Sequence, residues 1–178
     1  LDKETGVSIM KIVEELDAGP IMHQDKIKIN ENIDTKILSK LLSQLGARSL
    51  MKAINKIENG NANYNEQNHN KATYAKKISK KEAEINWNED AKKVLAKING
   101  LNPNPGAWFK YKNERYKVWK AKIGNENGSA GKILDENLTV ACKERSIKIL
   151  EIQKEGKSRQ AIDQFLLGNR IKQGENMF

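Results

Sequence analysis

A single carboxylate at a turn is the first candidate for chemistry in this sequence. The stretch KIVEELDAGPIM, residues 11–22, carries an apolar run into Asp17, and Gly19 and Pro20 interrupt the run before it resumes. Aspartate is common in turns because its side chain bonds the local backbone, so a solvated turn residue is the simplest interpretation. The alternative is a functional carboxylate that a rigid turn aims at a ligand.

The other reactive residue types do not form a recognisable site. His23 and His69 lie far apart in the sequence, and no cysteine or acidic cluster has the spacing of metal ligands, so we expect no metal site. His23 lies in an alternating pattern, where a structural or surface role is expected, and the apolar neighbours of Cys142 predict a buried strand residue. Phosphate-binding, nucleophile-elbow and Cys-x-x-Cys motifs are absent, so the residues alone leave the reaction open.

The charge of the chain is unevenly distributed. The 178 residues carry a net charge of +9, and residues 1–60 hold nine basic and nine acidic side chains, so the whole excess lies in residues 61–178. Such asymmetry suggests that the second segment meets a polyanion such as nucleic acid. Lysine outnumbers arginine 27 to 5 and there are 20 asparagines, a bias that codon composition could also produce.

Composition also bears on where the protein works. Hydrophobic residues make up 38% of the chain and charged residues 31%, which suits a folded, soluble protein. No apolar stretch approaches the ~20 residues that cross a bilayer, and no secretory signal pattern is present. A single cysteine excludes an intramolecular disulfide and suits a reducing compartment, so we expect a cytoplasmic location. Because the first residue already lies in a strand-like pattern, we expect the chain to be part of a longer protein.

Two strands, a long helix and a polar stretch are predicted for the first third of the chain. Residues 6–13 and 21–29 have strand patterns, the first nearly all apolar as in a strand covered on both faces, and the Asp17 turn joins them. A helix is predicted from Asp34 to residue 58, with leucine and isoleucine at helical spacing and a bend or break at Gly46. The asparagine-rich stretch that follows has no period and is interpreted as a linker.

The remaining sequence predicts short helices around a set of short strands. Ser79 and Glu82 have the spacing of a capping box, and residues 88–100 have the pattern of a helix that ends at Gly100. Five short strand-like runs follow, and an amphipathic helix at 158–168 comes after them. A small barrel of the oligonucleotide-binding (OB) type is favoured, and a small sandwich is the alternative. The strand-like runs are AWFKYK, RYKVWKAKI, GKIL, LTVACK and SIKILEIQ.

These motifs together resemble a known enzyme family. ETGVSIMKIVEELDAGPIM is similar to the C-terminal half of the catalytic domain of formyltransferases that use 10-formyltetrahydrofolate. ATYAKKISKKEAEINW, NPNPGAWF and YKVWKA, in that order, resemble the methionyl-tRNA formyltransferase family within that superfamily. The resemblance implies an α/β plus β fold class. Residues 1–60 would be the C-terminal portion of a Rossmann-like catalytic domain (two strands and a helix), 61–74 a linker, and 75–178 an OB-like tRNA-binding domain with flanking helices.

The resemblance implies a catalytic role for the turn. Catalysis in the family uses an Asn-x-His pair and the aspartate of a Leu-Asp-x-Gly turn, and Leu16, Asp17 and Gly19 match that turn. Asp17 is therefore the expected catalytic carboxylate. The Asn-x-His pair and the Ser-Leu-Leu-Pro folate motif are absent from these 178 residues and are expected upstream of Leu1. The chain alone is thus expected to be inactive.

Two sets of binding residues are also expected. By the resemblance, the pterin pocket is bordered by the backbone of four residues: Val13, Glu14, Glu15 and Leu16. The charge pattern, taken with the tRNA substrate that the resemblance implies, predicts tRNA backbone contact by four lysines: Lys76, Lys77, Lys80 and Lys81. The aromatic residues among the later lysines, Trp108 and Trp119 in particular, are interpreted as core residues.

The implied function is transfer of the formyl group of 10-formyltetrahydrofolate, as donor substrate, to the amino group of initiator methionyl-tRNA. An oxyanion would be held by the asparagine and the protonated histidine, and Asp17 would keep that histidine charged and oriented. The expected partner is initiator methionyl-tRNA, and we expect a monomer. Two alternatives stay open: a non-catalytic basic RNA-binding module, and another formyltransferase or hydrolase that uses 10-formyltetrahydrofolate.

Overall fold

The computed structural model describes residues 1–169 and 171–177, which form two compact units. The hairpin unit comprises Asp2–Asn30 and Lys36–Lys77. The sheet unit comprises Leu1, Glu31–Thr35 and the described residues from Ile78 onward. The polar stretch interpreted as a linker therefore lies within the hairpin unit.

Two antiparallel strands form the hairpin unit's sheet. Strand β1 (Glu4–Met10) pairs with β2 (Ile21–Lys28), with a register shift at the end of β1. β1 ends three residues before the predicted bound because the chain leaves the ladder there to form a loop. Its side chains alternate between exposed and half-buried positions, so the two-sided cover predicted from its apolar run was wrong.

Helix α1 (Thr35–Glu58) runs without interruption through Gly46, so Gly46 does not divide it. One glycine in a helix costs only about 1 kcal/mol relative to alanine, which the rest of a 24-residue helix offsets. The helix buries Ser49 and Ala53. Six of its large apolar side chains stay exposed: Ile37, Leu41, Leu50, Met51, Ile54 and Ile57.

The carboxylate of Asp25, on β2, ties the hairpin to α1. It accepts hydrogen bonds from Ser49 Oγ at 2.7 Å, Lys52 Nζ at 3.0 Å and His23 Nε2 at 3.1 Å. The Ser49 and Lys52 bonds, helped by that of His23, hold the pKa of Asp25 well below its usual value. His23 therefore has the structural role that the sequence predicted.

The sheet unit is built from five antiparallel strands and two helices. The order across its sheet is β3-β4-β6-β5, and β7 pairs with the free part of β6. In chain order the elements are α2 (Ala91–Gly100), β3 (Ala107–Tyr111), β4 (Glu114–Gly124), β5 (Thr139–Ala141), β6 (Ser146–Lys154), β7 (Gln160–Ala161) and α3 (Ile162–Gly168).

The strand predictions were mostly confirmed, with two corrections. The GKIL run is not a strand, because its pairing consists of two isolated bridges, one at Lys132 and one at Ile133. The AWFKYK and RYKVWKAKI runs predict a turn at Asn113 and Glu114, but the β3–β4 turn is formed one residue earlier, by Lys112 and Asn113, both at positive φ. Within residues 1–169 and 171–177 the outer strands β3 and β5 do not pair with each other, so a closed barrel is not found.

One apolar core fills the sheet unit. Helix α2 turns one face inward, with Ala91, Val94, Leu95 and Ile98 all buried, as its helical spacing predicted. Cys142 lies in the same core, and burial, with a smaller contribution from Asp90, raises the pKa of its thiol to about 12. The predicted burial of Cys142 is confirmed, but the residue lies just after the end of β5 and is not in a strand as predicted.

The NPNPG loop that follows α2 is held against Trp119 of β4. Asn102 Nδ2 donates to the Trp119 carbonyl at 2.9 Å, and Lys117 Nζ donates to the Pro105 carbonyl at 2.8 Å. Gly106 has a φ of +83°, and a Cβ there would lie 2.8 Å from Trp119 Cη2. The loop therefore requires glycine both for its backbone conformation and for the space beneath the indole ring.

We expect Gly106→Ala to destabilise the sheet unit more than Gly156→Ala. Both positions have positive φ, which costs an alanine about 1–2 kcal/mol, but a Cβ at Gly156 meets nothing within 4 Å. At Gly106 the clash with the indole adds about 1–3 kcal/mol. Urea unfolding followed by tryptophan fluorescence measures both losses. Equal losses in the two variants would contradict the packing role of Trp119.

Candidate active site

Residues 11–20 form a closed loop between β1 and β2. The backbone N–H of Lys11 donates to the Pro20 carbonyl (N···O 3.0 Å), which closes the loop at its base. Asp17 lies at a turn of this loop with a φ of 58°, a left-handed conformation that aspartate adopts more readily than most residues. Its carboxylate is exposed, and nothing in the described part of the chain bonds or pairs with it.

Gly19 lets the two arms of this loop come close together at its neck. The residue is buried, and a Cβ built on it would lie 1.8 Å from the Lys11 carbonyl oxygen and 3.7 Å from Val13 Cγ1. No side chain fits at such a distance without moving the backbone. The glycine of the Leu-Asp-x-Gly pattern is therefore a packing requirement, which explains the spacing seen in the sequence.

A side chain that the sequence analysis missed also holds the loop. Gln67 Nε2 donates to the carbonyl oxygens of Asp17 at 2.9 Å and Gly19 at 2.7 Å. Gln67 lies in the stretch interpreted as a linker, among many asparagines and other amides. Nothing in a single sequence distinguishes it from these neighbours.

The four residues expected to border the pterin pocket lie on the same loop, immediately before Asp17. All of them (Val13, Glu14, Glu15 and Leu16) are exposed. Leu16 is 88% exposed, and the adjacent Ile12 is 91% exposed. Exposed apolar side chains grouped beside a free carboxylate are typical of a surface that meets a ligand.

The four lysines expected to contact tRNA are all exposed. Lys76 and Lys77 belong to the hairpin unit, and Lys80 and Lys81 belong to the sheet unit. Within the described ranges none of their ammonium groups forms a salt bridge. Their charges are therefore available to an external anion.

The backbone beside Lys80 is firmly held although its side chain is exposed. Ser79 and Glu82 form the predicted capping box: the Ser79 N–H donates to Glu82 Oε2 at 2.7 Å, and the Glu82 N–H donates to Ser79 Oγ at 3.2 Å. Hydrogen bonding of the Glu82 carboxylate to the backbone N–H, and to the side chain, of Ser79 lowers the pKa of Glu82. Trp108 Nε1 donates to the Lys80 carbonyl at 3.0 Å. The chain thus presents lysine side chains from a fixed turn.

Two tryptophans in the sheet unit carry cations on their rings. Trp108 is buried, as predicted, with Arg115 Cζ 4.4 Å from its ring centroid. Trp119 is only half-buried, and both Lys117 and Arg159 lie over its ring, at 5.3 and 5.5 Å. Cation–π contacts of this kind keep positive charge close to the sheet surface.

Metal-binding clusters and membrane-spanning helices were the remaining features of the described residues that could bear on function. Among them there is no group of three or more histidine, cysteine, aspartate or glutamate side chains that could hold a metal ion. None of the helices formed by these residues is long and apolar enough to span a bilayer.

Comparison with known families identifies the class of protein. A family model described as "Formyl transferase, C-terminal domain" matches residues 77–170, and one described as "Formyl transferase" matches residues 2–54. The chain belongs to the formyl transferase family.

Curated relatives narrow the likeness within this family. The methionyl-tRNA formyltransferase of Pelagibacter ubique is 43% identical over 178 residues, which cover 99% of this chain and 57% of the relative. The methionyl-tRNA formyltransferases of Bradyrhizobium diazoefficiens and Carboxydothermus hydrogenoformans are each 37% identical and align with 97% and 98% of this chain. The chain spans a little over half the length of these relatives, 57% and 58% for the latter two.

Solved structures show that the fold is that of formyltransferases. HypX from Aquifex aeolicus, solved with tetrahydrofolic acid, has a TM-score of 0.70 at 18% identity, over 93% of this chain and 30% of HypX. An N-formyltransferase from Helicobacter canadensis, solved with folinic acid and dTDP-3-aminofucose, has a TM-score of 0.64 at 20% identity, over 86% and 56%. Methionyl-tRNA formyltransferase from Clostridium thermocellum has a TM-score of 0.52 at 19% identity, over 70% and 53%.

We expect Gly19→Ala and Gly46→Ala to change stability in opposite directions. The first forces a Cβ into the Lys11 carbonyl and should cost about 1–3 kcal/mol of unfolding free energy. The second adds a helix-favouring methyl that meets only Val7 Cγ1, at 3.9 Å, and should stabilise by up to about 1 kcal/mol. Urea denaturation with hydrogen exchange at β1 and β2 measures both. A Gly19→Ala protein as stable as the parent would contradict the narrow neck.

Proposed function

We propose that this chain is part of a methionyl-tRNA formyltransferase, which transfers the formyl group of 10-formyltetrahydrofolate to the amino group of initiator methionyl-tRNA. The observation that carries the proposal is the 43% identity to a methionyl-tRNA formyltransferase along 99% of the chain, including the Asp17 loop. The geometry supports it, because the loop presents an unpaired carboxylate beside exposed apolar side chains.

The proposed reaction is an acyl transfer between two nitrogens. The free amine of the methionyl ester attacks the formyl carbon, a new C–N bond forms, and negative charge develops on the formyl oxygen. Collapse of this tetrahedral intermediate breaks the bond between the formyl carbon and N10 of the folate. The proton that the amine loses is balanced by a proton gained at the departing nitrogen.

Asp17 is the residue of this chain proposed to act in that reaction. Its carboxylate would hold the imidazole of the family's Asn-x-His pair, or a water beside it, in the charged and oriented state. An opposite charge within about 4–6 Å favours the protonated imidazole, which can then stabilise the oxyanion. The Asn-x-His pair is not among these 178 residues, so the proposal concerns the full product of the reading frame.

The hairpin unit is proposed to contribute to a larger catalytic domain. The exposed apolar residues of α1 support this, because a soluble domain rarely leaves so many large apolar side chains of one helix uncovered. Val13, Glu14, Glu15 and Leu16 are proposed to border the pterin. Residues 1–60 would form the catalytic portion and residues 61–74 the connection to the second domain.

Residues 75–178 are proposed to form an OB-like tRNA-binding domain. The open five-stranded sheet and the bridges at Lys132 and Ile133 support such an arrangement. Lys76, Lys77, Lys80 and Lys81 are proposed to contact tRNA phosphates, since all four are exposed and without a salt bridge in the described part of the chain. We also propose a monomer that works in the cytoplasm, where initiator tRNA is charged.

A second candidate function is RNA binding without catalysis by these residues alone. The observation that favours it is the charge distribution, since the whole net charge of +9 lies in residues 61–178. Formylation of charged initiator tRNA, compared between the 178-residue chain and the full product of its reading frame, discriminates the two. The proposed enzyme requires formylation by the full product, whereas RNA binding with no formylation by either protein supports the second candidate.

In the full product, Asp17→Asn should lower turnover by about 10²–10⁴-fold, the usual range for a general acid–base group. The fold should not change, because the side chain is exposed and asparagine also accepts a left-handed φ. Single-turnover formylation and thermal unfolding measure the two effects. Asp2→Asn, at another exposed carboxylate, is the matched control. Turnover near that of the parent in Asp17→Asn would remove the catalytic assignment.

Charge reversal at Lys77 and Lys81 should weaken tRNA binding. The slope of log K against log salt should become shallower by roughly one to two, because fewer counterions are released. The matched control is the Lys143→Glu/Lys157→Glu double variant, which makes the same charge change at two other exposed lysines. Titration of tRNA from low to moderate salt measures both variants. Identical slopes for them would contradict a local role for Lys77 and Lys81.

A further inference from the structure

Gln67 binds the two backbone carbonyls that flank Ala18 in the Asp17 loop. Its Nε2 lies 2.9 Å from the Asp17 oxygen and 2.7 Å from the Gly19 oxygen. A carboxamide nitrogen carries two hydrogens, so one side chain can satisfy both acceptors at once. The residue is half-buried, and the Gly19 carbonyl belongs to a buried residue, where an acceptor without a donor is costly.

The backbone on both sides of Gln67 is fixed. Asn65 pairs with Ile21, the first residue of β2, through N–H···O bonds of 2.8 and 2.9 Å. On the other side, Asn68 caps a short 3₁₀ helix (His69–Lys71) by accepting from the Asn70 N–H at 3.1 Å. The stretch that carries Gln67 is therefore attached to the same hairpin as the loop it holds.

The loop needs such a donor because its conformation is unfavourable on its own. Asp17 has a φ of 58°, which costs a residue with a side chain about 1–2 kcal/mol. The neck is closed by the Lys11–Pro20 bond and the close approach at Gly19. The Gln67 hydrogen bond to the Asp17 carbonyl lies beyond this neck. It therefore constrains the backbone of Asp17 and the direction in which the Asp17 Cα–Cβ bond points.

We infer that Gln67 is a positioning residue for catalysis: its carboxamide holds the backbone of the Asp17 loop so that the carboxylate is aimed at the reacting centre. The inference rests on the proposed function, in which Asp17 is catalytic. Gln67 does not touch substrate in this scheme and acts only through Asp17. Small misplacements of a catalytic group can cost about 10²-fold in rate, so a positioning role is measurable.

The first test uses Gln67→Glu and Gln67→Met in the full product of the reading frame. Glutamate is nearly isosteric but turns an oxygen toward the two carbonyls, and methionine has no donor. We expect kcat to fall about 10- to 100-fold in both, with KM for charged tRNA within about twofold of the parent. Gln67→Lys keeps a donor and should stay within a few-fold of the parent kcat. Asn63→Asp, which makes the same amide-to-acid change at an exposed residue near Gln67, is the matched control and should change neither constant.

A double-mutant cycle with Asp17→Asn separates the inference from the function on which it rests. If Gln67 acts through Asp17, then adding Gln67→Glu to Asp17→Asn should lower the residual single-turnover rate no further. Full additivity, or a parent-like kcat in Gln67→Met, overturns the inference while leaving Asp17 catalytic. A parent-like rate in Asp17→Asn instead removes the proposed role of Asp17, and the inference with it. Should Gln67→Glu unfold, Gln67→Met and Gln67→Lys still decide the result, because methionine has no donor and lysine keeps one.

Discussion

The close approach between the Gly19 backbone and the Lys11 carbonyl is the constraint on which the candidate site depends. A side chain at Gly19 would place its first carbon 1.8 Å from that oxygen, so the two arms of the loop come close together there. The eight or so residues between the arms must then project away from the sheet. This projection exposes Leu16 and the Asp17 carboxylate together. The backbone contact sets the neck of the loop, and the Gln67 carboxamide then holds the backbone at Asp17.

In the sheet unit, Gly106 also permits a close approach, here to the indole ring of Trp119 and not to a backbone carbonyl. There the indole of Trp119 covers the glycine, and Asn102 binds the Trp119 carbonyl, so the NPNPG loop and β4 are joined by backbone and ring contacts. Lys117 and Arg159 lie over the same indole. The packing that closes the loop therefore also places cations at the surface. In this unit, structural and electrostatic roles fall on the same side chains.

Sequence patterns predicted the features that depend on neighbouring residues. The spacing of apolar residues predicted α1 and α2. The Ser79–Glu82 spacing predicted the capping box, and the apolar neighbours of Cys142 predicted its burial. Each of these is decided within a few residues along the chain, where periodicity and side-chain type carry the information. Two helix predictions needed correction. Gly46 does not divide α1, because the tendency of glycine to interrupt a helix is weak compared with the helix as a whole. The helix predicted at 158–168 begins only at Ile162, because Gln160 and Ala161 pair with β6.

The features that the sequence did not predict depend on contacts between distant residues. The GKIL run has strand-like composition, but it finds only bridge partners at Asn176 and Val140. Gln67 contacts a loop 48 to 50 residues away. No local pattern marks either contact. For the same reason, the role of Asp17 came from resemblance to a family and not from spacing, since an aspartate in a turn is common whatever its function.

Two carboxylates on the same hairpin show how surroundings decide which one is suited to chemistry. Asp25 accepts hydrogen bonds from Ser49, Lys52 and His23, all at Oδ2, and these bonds lower its pKa. A carboxylate stabilised in this way is a poor proton acceptor and a good structural anchor. Asp17 is eight residues earlier, and its own side chain has none of these bonds, while Gln67 bonds only its backbone. In Asp25 the side chain is hydrogen-bonded, whereas in Asp17 only the main chain is hydrogen-bonded. The Asp17 carboxylate is therefore held in place while it stays free to bind.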